Sequence, residues 1–449
     1  MIELKIKIEV DRQSRQRAIY VLNLLSSITG IRMRLSEDDP DIVYGESGGL
    51  GANLIPVFEG DLFRERRYDL HAESGVYLPR EMIGPPFSLD ERRLSFDLLA
   101  AIYGRLAVRL QSCKRYGRSD WSGGYQPPEF HRYAAFFCRW LTATGKLPTE
   151  FAIKSPWPNN APFALGLSFD IDILRRRPLG GMKVIARSLY GRGLPGGLGG
   201  ALAGFTDTLW SSLTGRQNPY HRFTRVLDES DGVTIFAFAG RRNDPRDPTY
   251  SLDELRKVLD AAGGRFEIAL HNGIGSGGDP EQLAYAKSCL SEIFKCAVIG
   301  IRPHFLDCRF PEFWKNLGGF AYSSAVGSDT VAGFPAGVEF PFFGVDFQTA
   351  EAVDILELPI GLMDCALHRD NRPESAETLL DQVIDDCLKS HALLVLDWHN
   401  TSFYDKDYRG WSGTYAGLIE RSRAAGAFIA PLGQIDSYWR NRCASLFLS

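Results

Sequence analysis

The sequence lacks any apolar run of about 18 residues, so no membrane-spanning helix is expected. It lacks an excess of positive charge. Lys and Arg number 51 against 55 Asp and Glu, a formal net charge of −4, which argues against a general nucleic-acid binder. It lacks a C-x-x-C pair, so a structural zinc module is not expected. The eight cysteines are scattered, and most lie in apolar surroundings such as Cys138 in AAFFCRWL. That usage fits free thiols in a reducing compartment, and a cytoplasmic protein is expected. Charges interrupt the N-terminus at every second position, unlike the apolar core of a signal peptide. Histidine is scarce as well, with only 8 in 449 residues. What is present is ordinary: 44% apolar and 24% charged residues, the composition of a soluble globular chain and too apolar for disorder. The length suggests two to three domains, or a small domain followed by one of barrel size.

The first segment alternates strictly. Ile2, Leu4, Ile6, Ile8 and Val10 interleave with Glu3, Lys5, Lys7 and Glu9, the period of a half-buried strand. Residues 12–29 then carry Ala18, Val21, Leu22, Leu25 and Ile28 at helical spacing, with Gly30 as the stop. Short strands are expected near 31–35, 41–44, 54–57 and 76–79. Ser88 and Glu91 form a capping-box pattern ahead of an expected helix over 89–113, and another helix is expected over 129–145. Residues 1–150 therefore read as a small α+β domain without evident catalytic residues.

From about 160 the rhythm changes. Apolar runs at 164–169, 232–238, 266–270, 298–303, 319–323, 354–358, 392–398 and 427–430 alternate with helical patterns. Strand-helix repetition implies a parallel sheet with helical crossovers. Residues 151–449 thus read as a distorted (β/α) barrel of seven to eight strands, with a doubly wound open sheet as the alternative. An insertion at 175–217 follows the first strand. It opens with Arg175, Arg176 and Arg177, which read as a solvated face, or alternatively as a patch attracting an anionic sugar or lipid headgroup. Its glycine-rich piece at 193–204 lacks the Lys-Ser/Thr ending of a phosphate loop and follows no strand. It reads as a flexible connector between two short helices.

In a sheet of parallel strands, reactive residues belong at the C-terminal strand ends. Asp170 and Asp172 end the first run, His271 and Asn272 the third, Arg302 and His304 the fourth, and Asp397, Trp398, His399 and Asn400 the seventh. Each alone has a plain structural reading as a cap, a turn residue or an ion-pair partner. Together they bring carboxylates, imidazoles and a guanidinium to one rim. Those groups suit metal-assisted hydrolysis, in which carboxylate and neutral imidazole hold a divalent ion and leave a position open for water. A second carboxylate then acts as base and a further histidine as acid.

These residues carry a resemblance to a known family. The stretches SFDID (168–172), ALHNGIGS (269–276), GIRPHFLD (300–307), LELPIGLMD (356–364) and LDWHN (396–400) resemble, in order and spacing, the motifs of the polysaccharide deacetylase family. This is the NodB-homology or carbohydrate esterase family 4 domain. FDLLAAIYGRL (96–106) and NPYHRF (218–223) resemble a bacterial subgroup with an extra N-terminal α+β domain. The resemblance implies Asp170 as catalytic base, Asp172 and His271 as metal ligands, and Arg302 as the residue that holds the base. It further implies His399 as the acid that protonates the leaving amine. The Phe305 N–H would contribute to the oxyanion hole, and Trp398 with segment 356–364, including Asp364, would line the acetyl pocket beside Asn272. The cofactor implied is a divalent metal, zinc first, with cobalt or nickel as alternatives. The substrate implied is an N-acetylated, or O-acetylated, sugar or glycan precursor, with no nucleic acid involved and self-association left open.

One departure stands out. The family's second metal-binding histidine, four residues after the first, is here Gly275. His304 stands where the third motif usually has proline, and either replaces the missing ligand or points elsewhere. Two competing readings remain: a catalytically impaired relative in polysaccharide biosynthesis or glycan binding, and a glycosyltransferase using Asp170-Ile171-Asp172 as a D-x-D motif. The latter leaves His271, Arg302 and His399 unexplained.

Overall fold

The computed structural model describes residues 2–46, 52–57, 68–71, 75–79, 92–111, 125–177, 197–214, 217–228, 232–369 and 373–447. The N-terminal alternation forms β1 (Glu3–Ile8), with Leu4, Ile6 and Ile8 buried. α1 (Arg12–Thr29) follows. The Asp11 carboxylate accepts from the N–H groups of Gln13 and Ser14 at its start, and Gly30, at φ 73°, ends it. β2 (Arg32–Leu35), β3 (Ile42–Tyr44) and β4 (Asn53–Ile55) complete a parallel sheet in the order β2-β1-β3-β4. β5 (Tyr68–Leu70) and β6 (Tyr77–Pro79) form a separate antiparallel pair.

α2 (Leu98–Gln111) starts later than the helix expected over 89–113. The Asp97 carboxylate accepts from the Ala100 N–H at 2.9 Å, and Arg93 bridges to Leu54, so residues 92–97 are not helical. Ser88 and Glu91, the expected capping box, lie outside the described residues. After β7 (Tyr125–Gln126) comes α3 (Phe130–Ala143). Glu129 at its head accepts from Arg105 and Arg109 of α2, each at 2.7 Å.

The second half builds one large sheet. Its strands are β8 (Ala164–Ile171), β9 (Val233–Phe238), β10 (Phe266–Asn272), β11 (Gly300–Pro303) and β12 (Tyr322–Ser323). After β13 (Ala332–Gly333), which pairs with β7, come β14 (Phe342–Val345), β15 (Ala352–Glu357), β16 (Ile360–Met363), β17 (Leu393–His399) and β18 (Phe428–Pro431). The strand order is β14-β15-β12-β11-β10-β9-β8-β17-β16. β18 pairs with β8 along Ala164–Leu167, and β9 takes the same edge from Ser168 onward. Among the described residues of this sheet, only β14 runs antiparallel to its neighbour. Every residue of β8 is buried, as in a strand covered on both faces.

A barrel was expected, but among the described residues the end strands β14 and β16 do not pair, so the sheet is not closed by strand pairing. Glu357, at the end of β15, lies beside the break. Its buried carboxylate accepts from the N–H groups of Ala325 and Val326 at 2.7 and 2.8 Å, from Trp314 Nε1 at 3.0 Å, and from the Ser323 hydroxyl. Those N–H groups are thereby satisfied without a neighbouring strand. Two backbone bonds span the remaining gap, from Leu358 N–H to the Ser323 carbonyl and from Ile360 N–H to the Val326 carbonyl.

The insertion after β8 also differs from expectation. Residues 197–204 of the glycine-rich piece begin a helix that runs over Gly197–Thr214, where a flexible connector was expected. Residues 178–196 lie outside the described residues. The arginine run is not a uniform solvated face. The buried Arg176 binds Asp407 through Nε at 2.7 Å and Nη2 at 3.0 Å, while Arg175 pairs with Glu254. The two halves of the chain share one continuous apolar core. α1 is tied to the C-terminal helix Leu432–Leu446 by bonds from Arg442 Nε to the Ser27 carbonyl and from the Ser26 hydroxyl to the Leu446 carbonyl. No helix among the described residues is long and apolar enough to cross a membrane.

Candidate functional site

The C-terminal ends of β8, β10, β11, β16 and β17 surround one cavity of about 290 Å³. Register brings its residues level. Asp170 on β8 pairs with His399 on β17, and His271 on β10 pairs with Arg302 on β11. Alternation then sorts the side chains. Asp170, Asp172, His271, His304, Asp397 and His399 line the cavity, together with Asp364 at the end of β16.

Three of these residues converge. Asp172, His271 and His304 offer ligand atoms that all lie within 4.8 Å of one another. His271 Nε2 is 3.3 Å from Asp172 Oδ1, and His304 Nε2 is 3.5 Å from Asp172 Oδ2. The ring orientations are fixed from behind. His271 Nδ1 lies 3.0 Å from the Arg302 carbonyl, which can only accept, so Nδ1 carries a hydrogen and Nε2 is the nitrogen turned to the cavity. His304 Nδ1 lies 3.4 Å from Asp247 Oδ1. Asp247 is itself held by the N–H groups of Asn243, Asp244 and Ile274. Such oxygen acceptors behind imidazole ligands are the usual second layer of a metal site.

The donor set fits a divalent cation. Buried Asp172 Oδ1 and His271 Nε2 face each other at 3.3 Å without a well-formed hydrogen bond, a geometry that a cation between them would complete. Burial would raise the Asp172 carboxyl, but the facing His271 and His304 imidazoles hold it well below the usual carboxylate range. Burial would lower the His271 imidazole, yet the Asp170 and Asp172 carboxylates raise it. The same pair of carboxylates favours any positive charge placed between the rings. One carboxylate with two imidazoles and an open side is the composition that zinc-type ions take at catalytic sites.

Beside this trio, Asp170 is held by Arg302. Nη1 donates to Asp170 Oδ1 at 2.8 Å and lies 3.1 Å from Asp397 Oδ1. Nη2 donates to the Ser324 hydroxyl and Nε to the Ser324 carbonyl. The guanidinium lies over the Phe236 ring, 4.1 Å from its centroid, and is fully buried. Its fork therefore serves two carboxylates and a serine at once. Burial pushes the Asp397 carboxyl up to about 7, with Arg302 pulling it back and Asp170 adding to the rise. Asp170 Oδ2 is 3.6 Å from His271 Nε2.

His399 closes the opposite side. Its Nδ1 is 2.9 Å from Asp364 Oδ1, and Asp364 Oδ2 accepts from the His399 N–H and the Ser402 hydroxyl. Burial opposes a charge on this imidazole, but Asp364 raises it well above the ordinary histidine value. Nε2 is 3.6 Å from Asp172 Oδ2.

Not every expected residue faces the cavity. Trp398 was expected to wall the pocket. It lies between Asp397 and His399, so alternation turns it to the other face of β17, where its ring packs on Tyr415, Phe403 and His368. Asn272 is turned away from His271 in the same manner and donates to the Ser276 hydroxyl at 3.0 Å. Of segment 356–364, only Met363 and Asp364 line the cavity. Phe305 lines it, with its ring against His304 and its backbone at φ 58°. Tyr408 and Trp411 also line it and went unnoticed in the sequence, because they follow the strand end by nine residues or more. Asp247 went unnoticed for the same reason, lying nine residues beyond β9.

Gly275 is at φ 77°, and its N–H donates to Asp307 Oδ2 at 2.8 Å. It borders a separate cleft with Asp307, Arg309 and Asn316. The backbone there is left-handed, a region that histidine enters only at a cost.

No family model matches the sequence, and no curated protein sequence matches it. Solved structures similar to it include one assigned as a polysaccharide deacetylase from Mycobacterium smegmatis, at 18% identity over 65% of this chain and 94% of that one, with a TM-score of 0.41. Another is Puue allantoinase, at 15% identity over 65% and 95% of the two chains and a TM-score of 0.39. A third, assigned as a polysaccharide deacetylase from Pseudomonas aeruginosa PAO1, is 17% identical over 65% and 95%, with a TM-score of 0.38.

Proposed function

We propose that the protein is a metal-dependent hydrolase that removes an acetyl group from an N-acetylated sugar or glycan. The observation that carries this reading is the arrangement around Asp172. Two imidazoles with second-layer partners face it, an arginine-held carboxylate lies on one side and an aspartate-held imidazole on the other.

Asp172, His271 and His304 would hold the ion. When bound, a zinc-type ion polarises the acetyl carbonyl and makes the attacking water more acidic. The remaining work belongs to the chain. Arg302 occupies Asp170 Oδ1, which leaves Oδ2 as the oxygen that accepts the proton of water as it attacks the acetyl carbon. The Phe305 N–H stabilises the negative oxygen that develops. The C–N bond breaks as His399 Nε2 gives its proton to the departing nitrogen, yielding acetate and a free amine. Asp364 fixes the ring orientation and favours the protonated imidazole that this step needs. Met363, Tyr408 and Trp411 supply apolar wall around the acetyl methyl. The departure at Gly275 is compensated by His304, which stands among the three donors. This favours an active site over an impaired relative.

The test is acetate release from N-acetylated chitooligosaccharides by protein reconstituted with zinc. Release that a chelator abolishes and zinc restores is expected. Absence of release from every acetylated sugar tried, with zinc bound, would contradict the activity. A second expectation concerns Asp364. The Asp364→Asn variant should lose about 10²- to 10⁴-fold in kcat, the typical contribution of a positioned acid or base. Its KM and zinc content should be unchanged, since Asp364 lies on the leaving-group side. A variant that loses zinc along with activity would assign Asp364 to the metal instead.

A further inference from the structure

The helix Gly197–Thr214 is turned inside out. Its inward face is small and polar. Gly200 approaches the Lys406 carbonyl so closely that a Cβ would lie 2.0 Å from that oxygen, and Gly204 leaves room for the Arg176 guanidinium. Thr208 and Ser211 are buried on the same face, and Thr208 accepts from Arg176 Nη1 at 2.9 Å. Just before Thr208, Asp207 accepts from the Tyr404 hydroxyl at 2.8 Å. The apolar side chains point the other way. Leu202, Leu209, Trp210 and Leu213 are 50%, 41%, 58% and 74% exposed, and their spacing places them on one face. Burying this face inward was open to the sequence, yet glycines fill the positions that pack.

Charge is uneven along this stretch of the sequence. Residues 173–227 hold nine Lys or Arg and one acid, a net +8 within a chain of −4. Arg176 is used internally, but Arg177 is exposed, and Arg222 lies over the Tyr404 ring beside Asp207. The helix packs on segment 404–407, next to Tyr408 of the cavity wall. Ile173, at the cavity rim, is 53% exposed.

We propose that this helix is an interfacial anchor that docks the protein on an anionic lipid surface, with the cavity rim beside the contact. An outward face of leucines and a tryptophan, in a segment whose sequence is rich in arginine, is the composition that settles into a headgroup layer. Tryptophan favours that boundary because its ring is apolar and its N–H polar. The net positive charge of residues 173–227 selects anionic headgroups over a second copy of the same basic segment.

Flotation with vesicles tests the proposal and involves no hydrolysis, so its outcome is independent of the proposed activity. The full chain is mixed with vesicles of phosphatidylcholine alone, or of phosphatidylcholine and phosphatidylglycerol in equal parts. The wild type is expected to float with the mixed vesicles, much less with the neutral ones, and less as salt rises. The Leu209→Ser/Trp210→Ser/Leu213→Ser variant should bind about tenfold more weakly or worse, and Arg177→Glu should weaken binding while leaving all apolar residues in place. Failure of the wild type to float with mixed vesicles at low salt would overturn the proposal. So would equal binding to neutral vesicles. A wild-type dimer that the triple Ser variant dissociates, without vesicle binding, would assign the face to a second copy instead.

Discussion

Asp170→Asn should reduce acetate release by about 10²- to 10⁴-fold, the range expected when a general base loses its proton-accepting oxygen. The substitution keeps the shape of the side chain. An asparagine oxygen still accepts from Arg302 Nη1, now held 2.8 Å from Asp170 Oδ1, so the guanidinium keeps that partner as well as Asp397 and Ser324. The amide cannot take a proton from water. Because Asp170 is not among the three converging donors, zinc content should be unchanged. That combination separates a base from a ligand. Loss of both zinc and activity would mean that Asp170 holds the ion.

His304→Ala should have an effect at least as large by a different route. It removes one of three donors and leaves Asp172 and His271. Loss of second-layer partners alone typically costs about 10- to 100-fold in metal affinity or activity, so loss of the ligand should exceed about 100-fold. The fall should be partly reversed by raising the zinc concentration. Adding Gly275→His should not rescue it. Position 275 borders a different cleft, and its φ of 77° would cost histidine about 1–2 kcal/mol. Retention of activity and zinc by His304→Ala would remove His304 from the site. Rescue by Gly275→His would show that the usual ligand position can still reach the ion.

Much of this site was legible because strand ends are legible. The runs at 266–270 and 392–398 became strands ending at Asn272 and His399, and the rule that parallel strands present chemistry at their C-terminal ends found His271, Arg302 and His399. Parity was the neglected half of the rule. If Asp397 and His399 face inward, Trp398 cannot, and the same holds for Asn272 beside His271. Asp247 was harder to see, since a loop rather than a strand carries it to His304. The break in the sheet was harder still, since the run at 354–358 and the residues after it read as one strand, whereas the structure has two, Ala352–Glu357 and Ile360–Met363, at different places in the sheet. Composition misled in one place. Glycines at 197–204 read as flexibility, whereas Gly200 and Gly204 are where the helix comes closest to its neighbours.

The central claim is that Asp172, His271 and His304 hold one divalent ion. Metal content after zinc loading and dialysis, by mass spectrometry on the wild type and on Asp172→Ala, His271→Ala and His304→Ala, tests it most directly. Close to one zinc per wild-type chain, lost from each of the three variants while their folded content is unchanged, is the expected result. A wild type that retains no zinc, or three variants that all retain it, would contradict the account.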